Sequence, residues 1–235
     1  MTNALSIADY APLVPRRGSS SRPLARARGL PDICQAAVRL FADQGYGGTR
    51  MSDIAAVLNV QAPSLYNYVS SKRDLLDMLC LEMMQGAHDA LSIGLSLGAD
   101  VTEQLRRGME EQVRFRVRHG YHLQVTSRET LHLSPGVRDE VLGLRDAQRA
   151  MWLDVVTLGV AEGQFSPASS ELASHLLLEM CSYLQIMHFS LRQQVPESEL
   201  VYWFGDLALG VVGCARQGAN ATATGAGTPN ARSDG

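Results

Sequence analysis

The chain has 235 residues, 46% hydrophobic and 19% charged, with a formal net charge of −3. That length sustains one large domain or two modest ones, and the ordinary apolar fraction excludes wholesale disorder or a disulfide-stapled miniprotein. No uncharged apolar run reaches the roughly 18 residues of a membrane span, and Asp9 and Pro12 interrupt any signal-peptide core. A cytoplasmic protein without a membrane partner is therefore expected. Cys34, Cys80, Cys181 and Cys214 show no CxxC spacing and read as reduced, buried thiols. The charge is uneven. Residues 1–75 hold nine Arg or Lys against five acids, net +4, which leaves −7 on the rest. A basic end on an acidic body suits a protein that meets a polyanion at one end.

Residues 1–29 carry Pro12, Pro15, Pro23 and the arginines 16, 17, 22, 26 and 28 without periodicity, and read as a flexible basic arm. A first helix is predicted from Pro31, with Ile33, Ala36, Ala37, Leu40 and Phe41 on one face and Gly45 as its end. Thr49 is the expected cap of a second helix, Arg50–Leu58. A third runs about 62–68, with Pro63 in its first turn. Ser71-Lys-Arg-Asp74 resembles a capping box that opens the fourth, 71–91. Long amphipathic helices follow at about 101–119, 121–132, 135–162, 168–193 and 197–215, broken at Gly94/Gly98, Gly120, Ser134-Pro135-Gly136, Gly163–Pro167 and Val195-Pro196. Residues 217–235 are small and polar, a second disordered tail. Strand alternation is absent, so the fold class is all-α. The domains expected are the arm 1–29, a small helical domain 30–76, a larger one 77–216 and the tail 217–235.

Residues 49–68 hold the most informative pattern. Met51, Ile54, Ala55 and Leu58 mark a two-turn helix, Asn59-Val60 a tight turn, and Leu65 and Val69 anchor a second short helix, which is a helix-turn-helix arrangement. Ala55 suits the helix crossing, and Val60 plugs the core at the turn.

The wider run Phe41-Ala-Asp-Gln-Gly45-Tyr46, Thr49, Ile54-Ala55, Val60, Leu65-Tyr66-Asn67-Tyr68 and Ser71-Lys72-Arg73-Asp74-Leu75-Leu76 resembles the DNA-binding domain of the TetR family of transcriptional regulators. The likeness covers about residues 30–78. It implies a homodimeric repressor that holds double-stranded DNA at a palindromic operator and is released by a small-molecule effector bound in a helical C-terminal domain. Gln61-Ala62-Pro63 departs from the family by offering fewer charges to the bases, and Val69 and Tyr68 replace a common Phe and His. These departures bear on which operator is read.

The residues support the same assignment. Only the N-terminal and outward side chains of so short a helix reach base edges in the major groove. Gln61 and Asn67 suit adenine or a mixed donor–acceptor edge, and Ala62 and Pro63 suit a thymine methyl. Tyr66 and Tyr68 suit phosphates. Lys72, the sole lysine, and Thr49 stand at helix starts where a phosphate meets free N–H groups. Arg50 and Ser64 complete the candidate DNA-contact set. With so few charges facing bases, phosphate contacts and DNA shape carry much of the expected affinity.

The last two helices present wide apolar faces: Leu172, Leu176, Met180, Tyr183, Leu184 and Met187 on one, Leu200, Trp203, Phe204, Leu207 and Val211 on the other, with Gly205 permitting close approach. Such surface suits a four-helix interface between two subunits. Phe115, Tyr121, Arg145, Arg149, Trp152, Phe165, His175, Met180 and Tyr183 are the candidate effector contacts. Glu129 and Leu131 before Ser134-Pro135, then Arg138, Arg145, Arg149, Gly159 and Gly163-Gln-Phe165, also resemble the branch of the family that answers to CoA thioesters of fatty or steroid-derived acids. Arginines beside an apolar tunnel suit such an anion.

No catalytic, metal or cofactor signature appears: there is no GxSxG, HExxH, Walker loop or dinucleotide glycine pattern. His119-Gly-Tyr-His122 has HxxH spacing but no nearby acidic or cysteine partner, and reads as a chance pair. Two other readings stay open on the residues alone. A DNA-independent helical partner-binding protein would show no small-molecule effect on DNA affinity. A small all-α enzyme would show turnover indifferent to Tyr66 and Lys72.

Overall fold

Pro31 sits in the first turn of α1 (Leu30–Gly48), where its missing N–H has no acceptor to satisfy, and Asp32 lies near the positive end of the helix dipole. The computed structural model describes residues 29–191 and 195–214, without the side chains of Tyr121 and of 184–191. The tail 217–235 and nearly all of the arm 1–29 lie outside the described residues. Ile33, Ala37 and Phe41 bury one face of α1. Gly45, at φ 76°, breaks it in a left-handed conformation that glycine adopts without a Cβ penalty, and a last helical turn continues to Gly48.

The second helix, α2 (Met51–Val57), is capped by Arg50 and not by Thr49: the Arg50 N–H donates to Asp53 Oδ2 at 2.7 Å. Asn59 turns the chain at φ 54°, in the region that Asn tolerates better than most residues. The next helix, α3 (Ala62–Leu65), is shorter than the expected 62–68. The N–H groups of Tyr66 and Tyr68 donate three residues back, to Pro63 and Leu65, so the backbone tightens into a turn that buries Val69. Ser71 caps α4 (Lys72–Ser96) by accepting the Asp74 N–H at 3.0 Å, while the Asp74 carboxylate accepts the Ser70 N–H at 2.8 Å.

The expected break at Gly94 does not occur, and α4 runs through it. A Cβ there would stand 2.6 Å from the Arg107 carbonyl oxygen and 2.8 Å from Gly108 Cα, so this glycine serves a backbone-to-backbone crossing rather than a helix end. The crossing helix is α5 (Val101–Arg118), capped by Asp100. Then come α6 (Gly120–Glu129), a 3-10 turn (Thr130–His132), α7 (Pro135–Ala161), α8 (Ser170–Leu191) and α9 (Glu197–Val211). Among the described residues there is no strand, and no helix is long and apolar enough to cross a membrane.

Two main cores form. One gathers α1–α3 and the start of α4 around Ile54, Leu65 and Leu75, and it also takes in Val125, Leu133 and Val141 from α6, the loop after it and α7. The other surrounds Trp152 with residues of α4, α5, α7, α8 and α9. Each fully buried Leu or Ile contributes about 1.5–3 kcal/mol of transfer free energy. The division drawn at residue 76 falls inside the continuous helix α4, so no flexible linker separates the small helical head from the body.

On α8 and α9 the apolar stripes divide. Leu172, Leu176, Tyr183, Trp203 and Leu207 are exposed, whereas Leu200 and Phe204 belong to the body's own core. Leu184 and Met187 lie outside the described side chains. Gly205 gives the expected close approach of a neighbouring helix: it faces Arg106 and Glu110 of α5 in the same chain, beside the Arg106–Asp206 ion pair at 2.7 Å.

Candidate nucleic-acid interface and ligand cavity

The turn after α2 and the short α3 bring Gln61, Pro63, Ser64, Tyr66, Asn67 and Tyr68 to the surface, with Ala62 half-buried, and Arg50 is exposed at the start of α2. Tyr66 and Tyr68 are 53% and 51% exposed. Two rings left in water beside two amides form a contact surface rather than a core.

Thr49 and Lys72 have a different place. Thr49 is fully buried and its hydroxyl donates to the Gly45 carbonyl at 2.9 Å, which removes it from the set facing solvent. Lys72 is half-buried. Its Nζ donates to the carbonyls of Tyr46 and Thr49, both at 2.7 Å, and lies 4.2 Å from the Tyr46 ring centroid. It braces the corner between α1 and α2, with one N–H left to meet a phosphate.

Tyr46 is the joint of this corner. Its ring packs edge-on to Phe41 at 5.4 Å and against His132 at 5.1 Å. Its N–H donates to Glu129 Oε1 at 3.3 Å, and the other Glu129 oxygen meets His132 Nδ1 at 3.0 Å. The corner that carries the helix-turn-helix is thus tied to the end of α6.

The same stretch of chain also lines a cavity of about 260 Å³. Thr126, Ser127 and Thr130 form one wall, Cys80, Met83, Met84 and Ala87 of α4 another, and Val141, Leu142, Arg145 and Gln148 of α7 a third. Arg116 of α5, Leu123 of α6, and Leu178 and Ser182 of α8 complete it. Met, Leu and Val surfaces interrupted by a few convergent polar groups are the make-up of a small-molecule site.

Of the nine effector contacts expected from sequence, Arg145 alone lines this cavity among those whose side chains are described. Trp152 is fully buried in the body core. Phe165 packs on Gly159, where an added Cβ would stand 2.0 Å from the ring. Phe115 lies behind the wall, in a small cluster with Met83, Ala87 and Leu123. Met180 is half-buried against the body core. Arg149 pairs with Glu171 at 3.6 Å, His175 Nδ1 meets the Glu171 carbonyl at 2.9 Å on the surface, and Tyr183 is exposed. The side chain of Tyr121 lies outside the described residues.

Sequence reasoning missed Arg116, Gln148 and the hydroxyl wall. A signal existed for the first: Leu105, Met109, Gln112 and Arg116 follow one another at spacings of four, three and four, so two polar residues stand on α5's buried stripe.

Burial pushes the Cys80 thiol up to about 12 and that of Cys181 to about 11, which keeps both protonated and poorly nucleophilic. The rings of His119 and His122 are 6.1 Å apart. Desolvation lowers both imidazoles, His122 to about 4, so they stay neutral. Among the described residues no three His, Cys, Asp or Glu gather as a metal site.

Comparison with known proteins gives this geometry a context. The family description "Bacterial regulatory proteins, tetR family" matches residues 33–79, and "Tetracyclin repressor-like, C-terminal domain" matches 98–186. The transcriptional repressor KstR2 of Mycobacterium tuberculosis is 27% identical over 144 residues, 58% of this chain and 68% of the relative. A tetR-family regulatory protein of Rhodococcus RHA1 superimposes with a TM-score of 0.74 at 22% identity, over 80% of this chain and 99% of that one. AibR, solved in complex with isovaleryl coenzyme A and operator DNA, gives 0.67 at 18% identity, over 79% and 98%. The two family descriptions follow one another along the chain and together cover more than half of it, with the helix-turn-helix in the first and most of α5–α8 in the second: the chain belongs to the TetR family of transcriptional regulators.

Proposed function

We propose that this protein is a ligand-responsive repressor that holds a palindromic operator as a homodimer and lets go when a small molecule fills the cavity between α4 and α8. The observation that carries the reading is the double role of α6. Thr126, Ser127 and Thr130 face the cavity, while Glu129 holds the Tyr46 N–H at the root of the helix-turn-helix. A ligand that repositions α6 changes the support of α3, and linkage then requires operator and ligand to weaken each other's binding by one factor.

The DNA contacts in this reading are Arg50, Gln61, Ala62, Pro63, Ser64, Tyr66, Asn67 and Tyr68, with Lys72 in a bracing role that leaves one hydrogen for phosphate. Few charges face bases, so each half-site is read weakly and two are needed, about one helical turn apart. The exposed Leu172, Leu176, Tyr183, Trp203 and Leu207 of α8 and α9 suit the dimer interface. Acyl-CoA thioesters are the first effector class to examine, since AibR was solved with one.

The test is selection of duplexes from a random library by the purified protein at physiological salt. A recurrent palindrome with half-sites one turn apart is expected. Recovery of unpatterned DNA would refute the operator-reading role.

A further inference from the structure

Arg116 is 6% exposed, yet among the described residues it makes no ion pair with any carboxylate. The acid whose charge reaches it, Glu179, is engaged elsewhere, in a pair with Arg145. A buried guanidinium without a counter-charge is costly, and folded proteins ordinarily pair it.

What holds it is neutral. Its Nε donates to Gln112 Oε1 at 3.3 Å, and the amide of Gln112 is fixed in turn by a bond from its Nε2 to the Ala87 carbonyl. The Cys181 sulfur lies beside the fork, and with its pKa raised to about 11 it remains a thiol and supplies no negative charge. Burial lowers the guanidinium's own pKa, the expected mark of a cation held without its anion.

The cavity wall includes both Arg116 and Arg145 and no Asp or Glu. Gln148, Thr126 and Ser182 add neutral polar groups, and the remaining surface is mostly Met, Leu, Val and Ala. We propose that Arg116 is the anion-recognition residue of this cavity, and that the molecule bound there is a carboxylic acid whose carboxylate sits on the Arg116 fork with its hydrocarbon part against Met83, Met84 and Leu178. The proposal rests on the ligand-responsive reading above and names its effector class.

The fork is the natural counterpart of a carboxylate, which accepts two parallel N–H bonds. The volume of about 260 Å³ lies below the roughly 300–1,000 Å³ of pockets for drug-sized ligands, so the enclosed part is a short acyl chain. The carboxylate has two chemical sources. A free acid brings its own, and a CoA thioester brings one only if its acyl chain ends in a second carboxyl group.

The experiment is calorimetric titration of the full chain with octanoate, methyl octanoate, octanoyl-CoA and octanedioyl-CoA, at near-neutral pH. Octanoate, octanedioyl-CoA or both are expected to bind at least about tenfold tighter than their partners lacking the carboxylate. Binding by octanoate alone identifies the free acid as source, and by octanedioyl-CoA alone the thioester. Failure of both pairs to discriminate, with methyl octanoate binding as tightly as octanoate and octanoyl-CoA as tightly as octanedioyl-CoA, or no binding by either carboxylate, would overturn the proposal. That comparison is made on the unaltered protein and needs no variant to fold.

Arg116→Gln, checked for helicity by circular dichroism, is expected to remove the discrimination, and Arg116→Lys to keep part of it. A folded Arg116→Gln that still prefers the acid also overturns the assignment. The same titrations repeated with the selected duplex separate the two readings. Acid binding through Arg116 with unchanged DNA affinity would sink the release mechanism and leave this site standing. DNA release by methyl octanoate as readily as by octanoate would do the reverse.

Discussion

Glu129 Oε1 accepts the backbone N–H of Tyr46 at 3.3 Å across 83 positions of the chain. This bond joins the last turn of α6, a stretch that also contributes cavity wall, to the corner from which α2 and α3 hang. Its loss should therefore act on communication more than on either binding event. For Glu129→Ala, the ratio of operator Kd with and without saturating effector is expected to fall several-fold toward one, while effector affinity measured without DNA stays within about a factor of two. A ratio equal to that of the unaltered protein would exclude Glu129 as the link.

Lys72→Met removes two charge-assisted bonds to the Tyr46 and Thr49 carbonyls and leaves both acceptors short of a donor. The expected loss is about 1–3 kcal/mol in urea unfolding, together with weaker DNA binding on every sequence alike. Lys72→Arg should not restore either, because a planar fork does not reproduce three tetrahedral donors.

Gln61→Ala and Asn67→Ala should alter sequence preference rather than general affinity. Each is expected to lower discrimination at one base pair by about 1–3 kcal/mol with little change in salt slope. Arg50→Ala, by contrast, should reduce that slope by about one. Identical losses on every duplex for all three variants would show that the sorting into base and phosphate contacts is wrong.

The pH dependence follows from His119 and His122, which burial holds neutral. Between the ordinary value of 6.5 and the folded value of about 4 for His122, the unfolded chain binds more protons than the folded one. Stability therefore rises with pH in this window and is lost as pH falls through it. The contribution of His122 is about 3 kcal/mol, read as the difference between the unaltered protein and His122→Gln in how far the urea unfolding free energy falls from about pH 7 to about pH 4. His122→Gln should flatten that dependence.

Gly94→Ala puts a methyl group into the α4–α5 crossing, 2.6 Å from a backbone oxygen that cannot rotate away. A loss of about 1–3 kcal/mol or more is expected, although alanine has the better helix propensity by about 1 kcal/mol. Thermal unfolding decides the sign.

Much of the head was legible because its signals are local. Pro31, Ser71 with Asp74, and the buried spacing of Ile54, Ala55, Leu58, Leu65 and Val69 each constrain a turn or two of backbone. The body's helices were legible by the same periodicity, to within a few residues at most ends. The cavity was not. Periodicity marks the face a helix turns inward, but it does not tell a packed interior from a hollow one, so Trp152 and Phe165 looked like lining and are core. Arg116 was hidden among the five arginines of α5, and only its register with Leu105, Met109 and Gln112 separates it from the four that are half-buried or exposed. Thr49 was misplaced for a related reason, since the direction of its hydroxyl depends on the left-handed Gly45 four residues before it.

The crossing at Gly94 has a mechanical consequence. With backbone against backbone, α4 is clamped to α5 near its C-terminal end, while Lys72 and the reading head ride at the other end, about 33 Å away along the helix axis. Tilting such a beam by about 5° about its clamp carries the far end through about 3 Å, close to the 3.4 Å step between stacked base pairs. A tilt of that size about the clamp would amount, at the DNA, to a misregistration of almost one rung.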